Sequence, residues 1–123
     1  MIQGFENYTA SLTDYEANVL VPRLVKGLEN RVGSQYAISN KRICRSLSDK
    51  GYEKVTEARV RKCINHIRLK GLVRNLIANS NGYYVATSIE EARNWSESAR
   101  ERARAIWAVA DAVEAQSDGR LFL

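Results

Sequence analysis

Apolar positions recur every three or four residues over three successive stretches of the chain, the spacing of helices that bury one side. The first stretch opens with Thr13 and Glu16, which have the spacing of a capping box, and Gly33 ends it. Pro22 falls inside it and has no backbone donor, so we expect a kink or a joint between two short helices. The apolar positions of this helix are Tyr15, Val19, Leu20, Leu24, Val25 and Leu28.

The second stretch, "SNKRICRSLSDKG", predicts a shorter helix. Its apolar pair is Ile43 and Leu47, four residues apart. Either Ser39 or Asn40 is suited to cap its start, because a short polar side chain there accepts from a free backbone N–H. Gly51 stands just after the helix, where a left-handed residue is favoured.

The third stretch, "TEARVRKCINHIRLKG", predicts a helix capped by Thr56 and ended by Gly71. One side of this helix is apolar and must face the core. The stripe consists of Val60, Cys63, Ile64 and Ile67.

After Gly71 the period changes from that of a helix to that of strands. "LVRNLIA" and "YYVATS" are runs of β-formers on either side of "NSNG", in which Asn81-Gly82 is a strong hairpin signal. We expect one of Tyr83 and Tyr84 to face inward onto the third helix and the other to face outward.

Ser88 and Glu91 form a second capping box, and no helix breaker follows until about Gln116. The order is helix, helix, helix, hairpin, long helix. This order predicts a mainly α (α+β) protein with the plan of a winged helix-turn-helix domain. We divide the chain into a loose arm (1–12), the winged helix-turn-helix domain (13–87), the long C-terminal helix (88–116) and a tail (117–123).

Positive charge is concentrated in the middle of the 123-residue chain. Residues 41–74 hold eleven Lys and Arg but only three acids, a net charge of +8, whereas the remainder has −3. A cationic surface of this kind favours an anionic partner such as nucleic acid.

The third helix carries the candidate DNA-reading residues. Opposite its apolar stripe lie cations, a small residue and an amide, the groups that read base edges in a major groove. The preceding helix is expected to cross the phosphate backbone. Candidate base-reading residues are Ala58, Arg61, Lys62 and Asn65. Candidate backbone-binding residues are Lys41, Arg42, Arg45, Thr56, Arg59 and Arg68. The competing interpretation is an ordinary solvated face, but that face lacks the acids that usually balance such cations.

The hairpin is the predicted wing. Its tip carries uncharged donors for a phosphate or a minor-groove edge, and a cation stands at its base. The wing residues are Arg74, Asn79, Ser80, Asn81 and Gly82.

Three runs, "ISNKRICRSL", "VTEARVRKCINHIRLKGLV" and "LIANSNGYYVATSIEE", together resemble small winged-helix proteins of phages, prophages and mobile elements. The resemblance extends from about Leu12 to about Val113 and is most specific between Thr56 and Tyr84. It implies a winged-helix fold and a DNA-binding role, carried by the third-helix face and the wing tip. It brings no catalytic motif.

The last helix carries an unbroken heptad seam of mostly small residues. The seam consists of Ile89, Ala92, Ser96, Ala99, Ala103, Ile106, Ala110 and Val113. It either packs along the first helix of the same chain, with Leu20, Leu24 and Leu28 filling the gaps, or pairs with a second subunit in a homodimer. Trp95 and Trp107 lie off the seam and offer large apolar surfaces for burial elsewhere.

Other function classes have little support in the sequence. One histidine, His66, and two separated cysteines, Cys44 and Cys63, make no metal set, nucleophile or redox motif. We therefore expect no enzyme, no metal and no small-molecule cofactor. The absence of a leader pattern or a long apolar run predicts a cytoplasmic protein that does not contact membranes. The leading hypothesis is a double-stranded DNA-binding protein, a transcriptional regulator or a replication accessory factor. The alternative is a winged-helix adaptor that binds protein and no DNA.

Overall fold

A computed structural model describes residues 11–117. They form four helices and one antiparallel pair of strands, so the prediction of a mainly helical protein with a hairpin is confirmed. The helices are α1 (Val21–Leu28), α2 (Asn40–Asp49), α3 (Glu57–Lys70) and α4 (Ile89–Ala115), and the strands are β1 (Leu76–Asn79) and β2 (Gly82–Val85). The predicted arm and tail lie almost wholly outside the described residues.

The predicted capping box opens the first helical segment. The backbone N–H of Glu16 donates to Thr13 Oγ1 (3.1 Å), and the N–H of Thr13 donates to Glu16 Oε1 (2.9 Å). A π-helical turn, Glu16–Leu20, then runs directly into α1, with Pro22 in the first turn of α1. The joint predicted around Pro22 is therefore present, because a proline is tolerated where a new helical geometry begins.

Side-chain caps fix the starts of the next two helices. Ser39, rather than Asn40, caps α2, since its Oγ accepts from the backbone N–H of Arg42 (3.2 Å). Thr56 caps α3 in the same way, and Gly71 ends α3 in the left-handed conformation (φ 67°). Asn40 links the two helices, because its Nδ2 donates to the carbonyl of Glu57 (2.9 Å).

The core lies between α1, α2 and α3. The predicted apolar stripe of α3 is confirmed, since none of its four side chains is exposed. It packs against the leucines of the first segment, Leu20, Leu24 and Leu28, and against Ile43 and Leu47 of α2. Cys63 is part of this core and Cys44 is half-buried at its edge; both are free thiols.

The hairpin pairs from Leu76 with Val85 to Asn79 with Gly82. A third extended segment lies beside β2: Ile38 and Tyr83 exchange both backbone hydrogen bonds (2.9 and 3.0 Å). The sequence did not predict this bridge, because a single bridging residue leaves no alternating pattern. Gly82 makes the close approach sterically feasible: at its φ of +129°, a Cβ would overlap the carbonyl of Ile38.

Both faces of the hairpin are covered. Tyr83 packs against the main core, whereas Tyr84 belongs to a second small cluster with Ile77 and Ala86. The expectation that one tyrosine faces outward is wrong, because Tyr84 is only 6% exposed. The start of α4 covers that face, with Trp95 packed against the cluster.

Helix α4 packs on β1 through its first turns and then leaves the body of the molecule. Ala92, Ser96 and Ala99 are half-buried, whereas every residue from 100 to 117 is exposed. Of the two arrangements expected for the seam, packing along the first helix is wrong, because residues 100–117 are exposed and Leu20, Leu24 and Leu28 are buried in the core without them. Within residues 11–117, no helix combines the length and the apolarity needed to cross a membrane.

Candidate nucleic-acid interface

One narrow part of α3 is open to solvent. Ala58, Arg61 and Leu69 are exposed and Asn65 is half-buried between them. At about 100° per residue these four positions fall in one row along the helix, which we call the open stripe. Of the four predicted base-reading residues, the structure therefore brings Ala58, Arg61 and Asn65 together.

Lys62 is not part of the open stripe. Its Nζ donates to Glu16 Oε1 (2.9 Å), while the Nε of Arg59 donates to Glu16 Oε2 (2.8 Å). The Glu16 side chain is only 4% exposed, and those of Arg59 and Lys62 are about one-fifth exposed. The predicted outward projection of Lys62 and Arg59 is thus wrong, because an acid 46 and 43 residues earlier in the chain holds both cations.

The Glu16 carboxylate has a strongly shifted pKa. Burial raises the pKa, but the hydrogen bonds from Lys62, the Thr13 amide and Arg59 outweigh burial and lower it to about 2. The guanidinium of Arg59 also lies over the ring of Tyr15, 5.4 Å from its centroid. This flank of α3 is therefore an internal ionic network that joins α3 to the first helical segment.

Arg68, on the other flank, is also engaged within the chain. Its guanidinium lies 5.3 Å from the ring centroid of Tyr83 and 5.2 Å from that of Trp95. Its Nε donates to the carbonyl of Leu76 (3.2 Å), and its buried Nη2 has no hydrogen-bond partner within the described residues. Burial lowers the pKa of Arg68. The predicted role of Arg68 as a phosphate contact is thus inconsistent with its position, since it ties α3 to the hairpin and α4.

Helix α2 presents cations beside the open stripe. Lys41, Arg42 and Arg45 are all exposed, as predicted. Cys44 marks the side of α2 that adjoins α3, because it lies one turn after Asn40, whose Nδ2 donates to the Glu57 carbonyl (2.9 Å). Burial raises the pKa of the Cys44 thiol. By helical geometry Lys41 lies nearer to that side than Arg42, which lines a surface depression with Arg45, Asp49 and Lys50.

The hairpin tip is exposed and uncharged. The Oδ1 of Asn79 accepts from the backbone N–H of Asn81 (2.8 Å), which fixes the two-residue turn of Ser80 and Asn81. Arg74, at the base of the hairpin, is exposed. Thr56 is also exposed at the start of α3, although its hydroxyl already accepts from the N–H of Arg59 (3.1 Å).

Despite the engaged side chains, most of the central charge faces solvent. Eight of the eleven Lys and Arg between residues 41 and 74 are exposed, and Arg59, Lys62 and Arg68 are the three that are not. Among residues 11–117, the only ion pairs are those of Glu16 and two on α4. No cluster of three or more His, Cys, Asp or Glu lies within the same residues, so no candidate metal centre is found there.

Glu16 is the residue that the sequence interpretation missed. A signal for it exists: Glu16, Leu20, Leu24 and Leu28 are spaced by four, so the acid continues a row of buried leucines. A carboxylate in such a row requires a cationic partner. Which cation would meet it depends on how the first and third helices cross.

No protein-family model, curated protein or solved structure matches this chain.

Proposed function

We propose that this chain is a double-stranded DNA-binding protein of the winged helix-turn-helix class, serving a phage or mobile element as a transcriptional regulator or replication accessory factor. The order of its elements supports the class. A helix, an extended segment at Ile38, two helices and a hairpin follow one another, and the segment pairs with the hairpin. In this arrangement α3 is the recognition helix and the hairpin is the wing.

The observation that carries the proposal is the open stripe. Arg61 and Asn65 lie one turn apart on it and form no ion pair or side-chain hydrogen bond with residues 11–117. A guanidinium matches guanine O6 and N7, and an amide matches the edge of adenine. Ala58 leaves room at the N-terminal end of α3 for a base edge to approach.

In this proposal, neighbouring elements position α3 on the duplex by binding its phosphate backbone. Lys41 and Arg45 of α2 are exposed cations suited to phosphates, and the amides of the hairpin tip are suited to the backbone beside them. Arg59, Lys62 and Arg68 have a different role in this proposal. They hold α3 at a fixed angle to the first helical segment and to the hairpin, so that the open stripe keeps its orientation.

The second candidate function is an adaptor that binds protein rather than DNA. One specific observation favours it: the distal half of α4 exposes several large apolar side chains, among them Ile106 and Trp107. Large exposed apolar patches mark interaction surfaces. The two candidate functions predict different results with a DNA duplex: the first predicts binding and the second predicts none.

Binding of labelled random-sequence duplexes, followed by fluorescence anisotropy across a salt series, tests the proposal. We expect the logarithm of affinity to fall linearly with that of salt, by about 0.9 per phosphate neutralised. On a duplex selected from a random pool for tight binding, Arg61→Ala should weaken binding by about five- to 150-fold, equivalent to ~1–3 kcal/mol. Lys26→Ala is the matched control, because it removes one exposed charge from α1 and should change affinity little.

If the wild-type protein binds no duplex even at low salt, the result favours the adaptor function over DNA binding. Equal losses for Arg61→Ala and Lys26→Ala would contradict the assignment of the open stripe while leaving non-specific binding intact. Selection from a random duplex pool then gives the base preference that Arg61 and Asn65 impose.

A further inference from the structure

The distal segment of α4, residues 100–115, is an amphipathic helix in which every residue is exposed. Four of its large side chains are more than half exposed: Ile106 (68%), Trp107 (65%), Val109 (64%) and Val113 (58%). Leaving this much apolar surface in water is unfavourable, at about 25 cal/mol per Å². An occupant for this surface is therefore expected.

The apolar side chains form one continuous strip. On a repeat of 3.5 residues, Ala103, Ile106, Ala110 and Val113 follow one another along the centre. Trp107 lies on one edge of this strip and Val109 on the other. Alanines at the centre allow a second helix to approach closely, and the larger side chains on the edges can close over it.

Charge along the same segment is polarised. Residues 100–104 contain three arginines and one glutamate, a net charge of +2, whereas residues 105–115 contain only Asp111 and Glu114, a net charge of −2. A helix with these two ends is complementary to a copy of itself that runs in the opposite direction. A parallel copy would bring like charges together along the full length.

We propose that the distal segment pairs with that of a second copy of this chain as an antiparallel two-helix coil. The heptad fixes the register. Ala103 lies opposite Val113 of the second copy, Ile106 lies opposite Ala110, and each layer is repeated by the two-fold axis.

The edges of this pair agree with the same register. Trp107 meets its equivalent across the two-fold axis on one edge, and Val109 does so on the other. Arg100 then stands opposite Glu114 of the second copy on the edge that holds Trp107, because all three residues share one heptad position. The existing contact of Arg100 does not oppose this pairing strongly, because its Nη1 reaches Glu97 Oε2 only at 3.9 Å in an exposed position.

Sedimentation equilibrium of the full-length chain, without nucleic acid, tests the pairing. We expect a reversible dimer in the micromolar range. Ile106→Glu should weaken the dimer by about a hundredfold, because it places a carboxylate in two central layers. Ile89→Glu is the matched control: Ile89 is equally exposed (65%) on the same helix but lies outside the paired segment, so the dimer should persist. A monomer at millimolar concentration, or equal loss in both variants, overturns the proposal.

Disulfide trapping tests the direction and the register. In a Cys44→Ser background, a mixture of Ala103→Cys and Val113→Cys chains should cross-link on oxidation, whereas each variant alone should not. Cys63 is buried in the core and does not interfere. Cross-linking of Ala103→Cys with itself would indicate parallel pairing and overturn the proposal. Both experiments omit DNA, so their outcome is independent of the proposed DNA-binding function.

Discussion

Arg61 and Lys62 are adjacent in the sequence and have opposite surroundings in the fold. Arg61 lies on the open stripe with no ion-pair partner in residues 11–117, while Lys62 donates to a buried carboxylate. One step along a helix turns a side chain by about 100°, which is enough to move it from solvent to a helix interface. The comparison teaches that a cluster of cations in a sequence predicts how much charge exists, but not how much is free to bind.

The largest effect that sharpens this comparison is expected at Glu16. Glu16→Gln should lower the free energy of unfolding by about 3 kcal/mol, because it leaves two partly buried cations without their counter-charge. Urea denaturation at neutral pH measures the change. Asp14→Asn, two residues earlier and exposed, is the control and should remain within about 0.5 kcal/mol. If both variants are equally stable, the Glu16 flank is not the structural network described above.

Acid should remove the same stabilisation without a mutation. The pKa of Glu16 is lowered from 4.5 to about 2 in the folded state, so its contribution is fully present above pH ~4.5 and is lost as pH falls towards 2. A shift of this size is worth about 3 kcal/mol at neutral pH, of which about 2 kcal/mol should be gone by pH 3. The gap in unfolding free energy between wild type and Glu16→Gln should narrow accordingly. A gap that stays constant from pH 6 to pH 3 would refute the linkage.

A smaller effect is expected on the opposite flank of α3. Arg68→Ala should destabilise the fold by about 2 kcal/mol, because it removes contacts with two aromatic rings and the packing of the long side chain. Trp95 should report the loss as a change in fluorescence, measured in a Trp107→Phe background. Arg74→Ala provides the exposed control. Should Arg68→Ala behave like Arg74→Ala, the hairpin would not depend on this guanidinium.

The smallest stability effects distinguish the two neighbours directly. Lys62→Ala should cost about 1–2 kcal/mol, since one charged hydrogen bond to Glu16 is lost, whereas Arg61→Ala should remain within about 0.5 kcal/mol. The order should reverse in duplex binding, where Arg61→Ala has the larger effect. Measuring stability and affinity for both variants tests the whole comparison. The same order in both measurements would contradict the division of α3 into engaged and open sides.

Local signals in the sequence predicted most of the fold. The capping residues Thr13, Thr56 and Ser88 and the helix-ending Gly71 act through nearby backbone, so their effects can be read from a few neighbouring positions. The apolar stripe of α3 was predicted for the same reason, since burial follows the helical period.

Long-range partners account for what the sequence did not reveal. Three contacts join residues that are distant in the chain and were not predicted. They are Lys62 with Glu16, Arg68 with Tyr83 and Trp95, and Gly82 with Ile38. Helical periodicity places a side chain on one side of its helix but does not say what stands there. The candidate site was therefore predicted at the level of the element, and of its four predicted base-reading residues Ala58, Arg61 and Asn65 remain on the open stripe.

Trp95 fastens the start of α4 to the body of the molecule, because its Nε1 donates to the carbonyl of Ala78 in the edge strand β1 (2.7 Å). This hydrogen bond fixes the position of the hairpin along α4. In the antiparallel coil, Trp95 lies about 13 residues from the two-fold axis, so the two hairpins would stand roughly 40 Å apart at ~1.5 Å per residue. That separation is close to the ~35 Å between successive major-groove faces on one side of a duplex. A dimer built in this way would hold its two hairpins about one duplex turn apart, and the number of residues of α4 between Trp95 and the two-fold axis would set that distance.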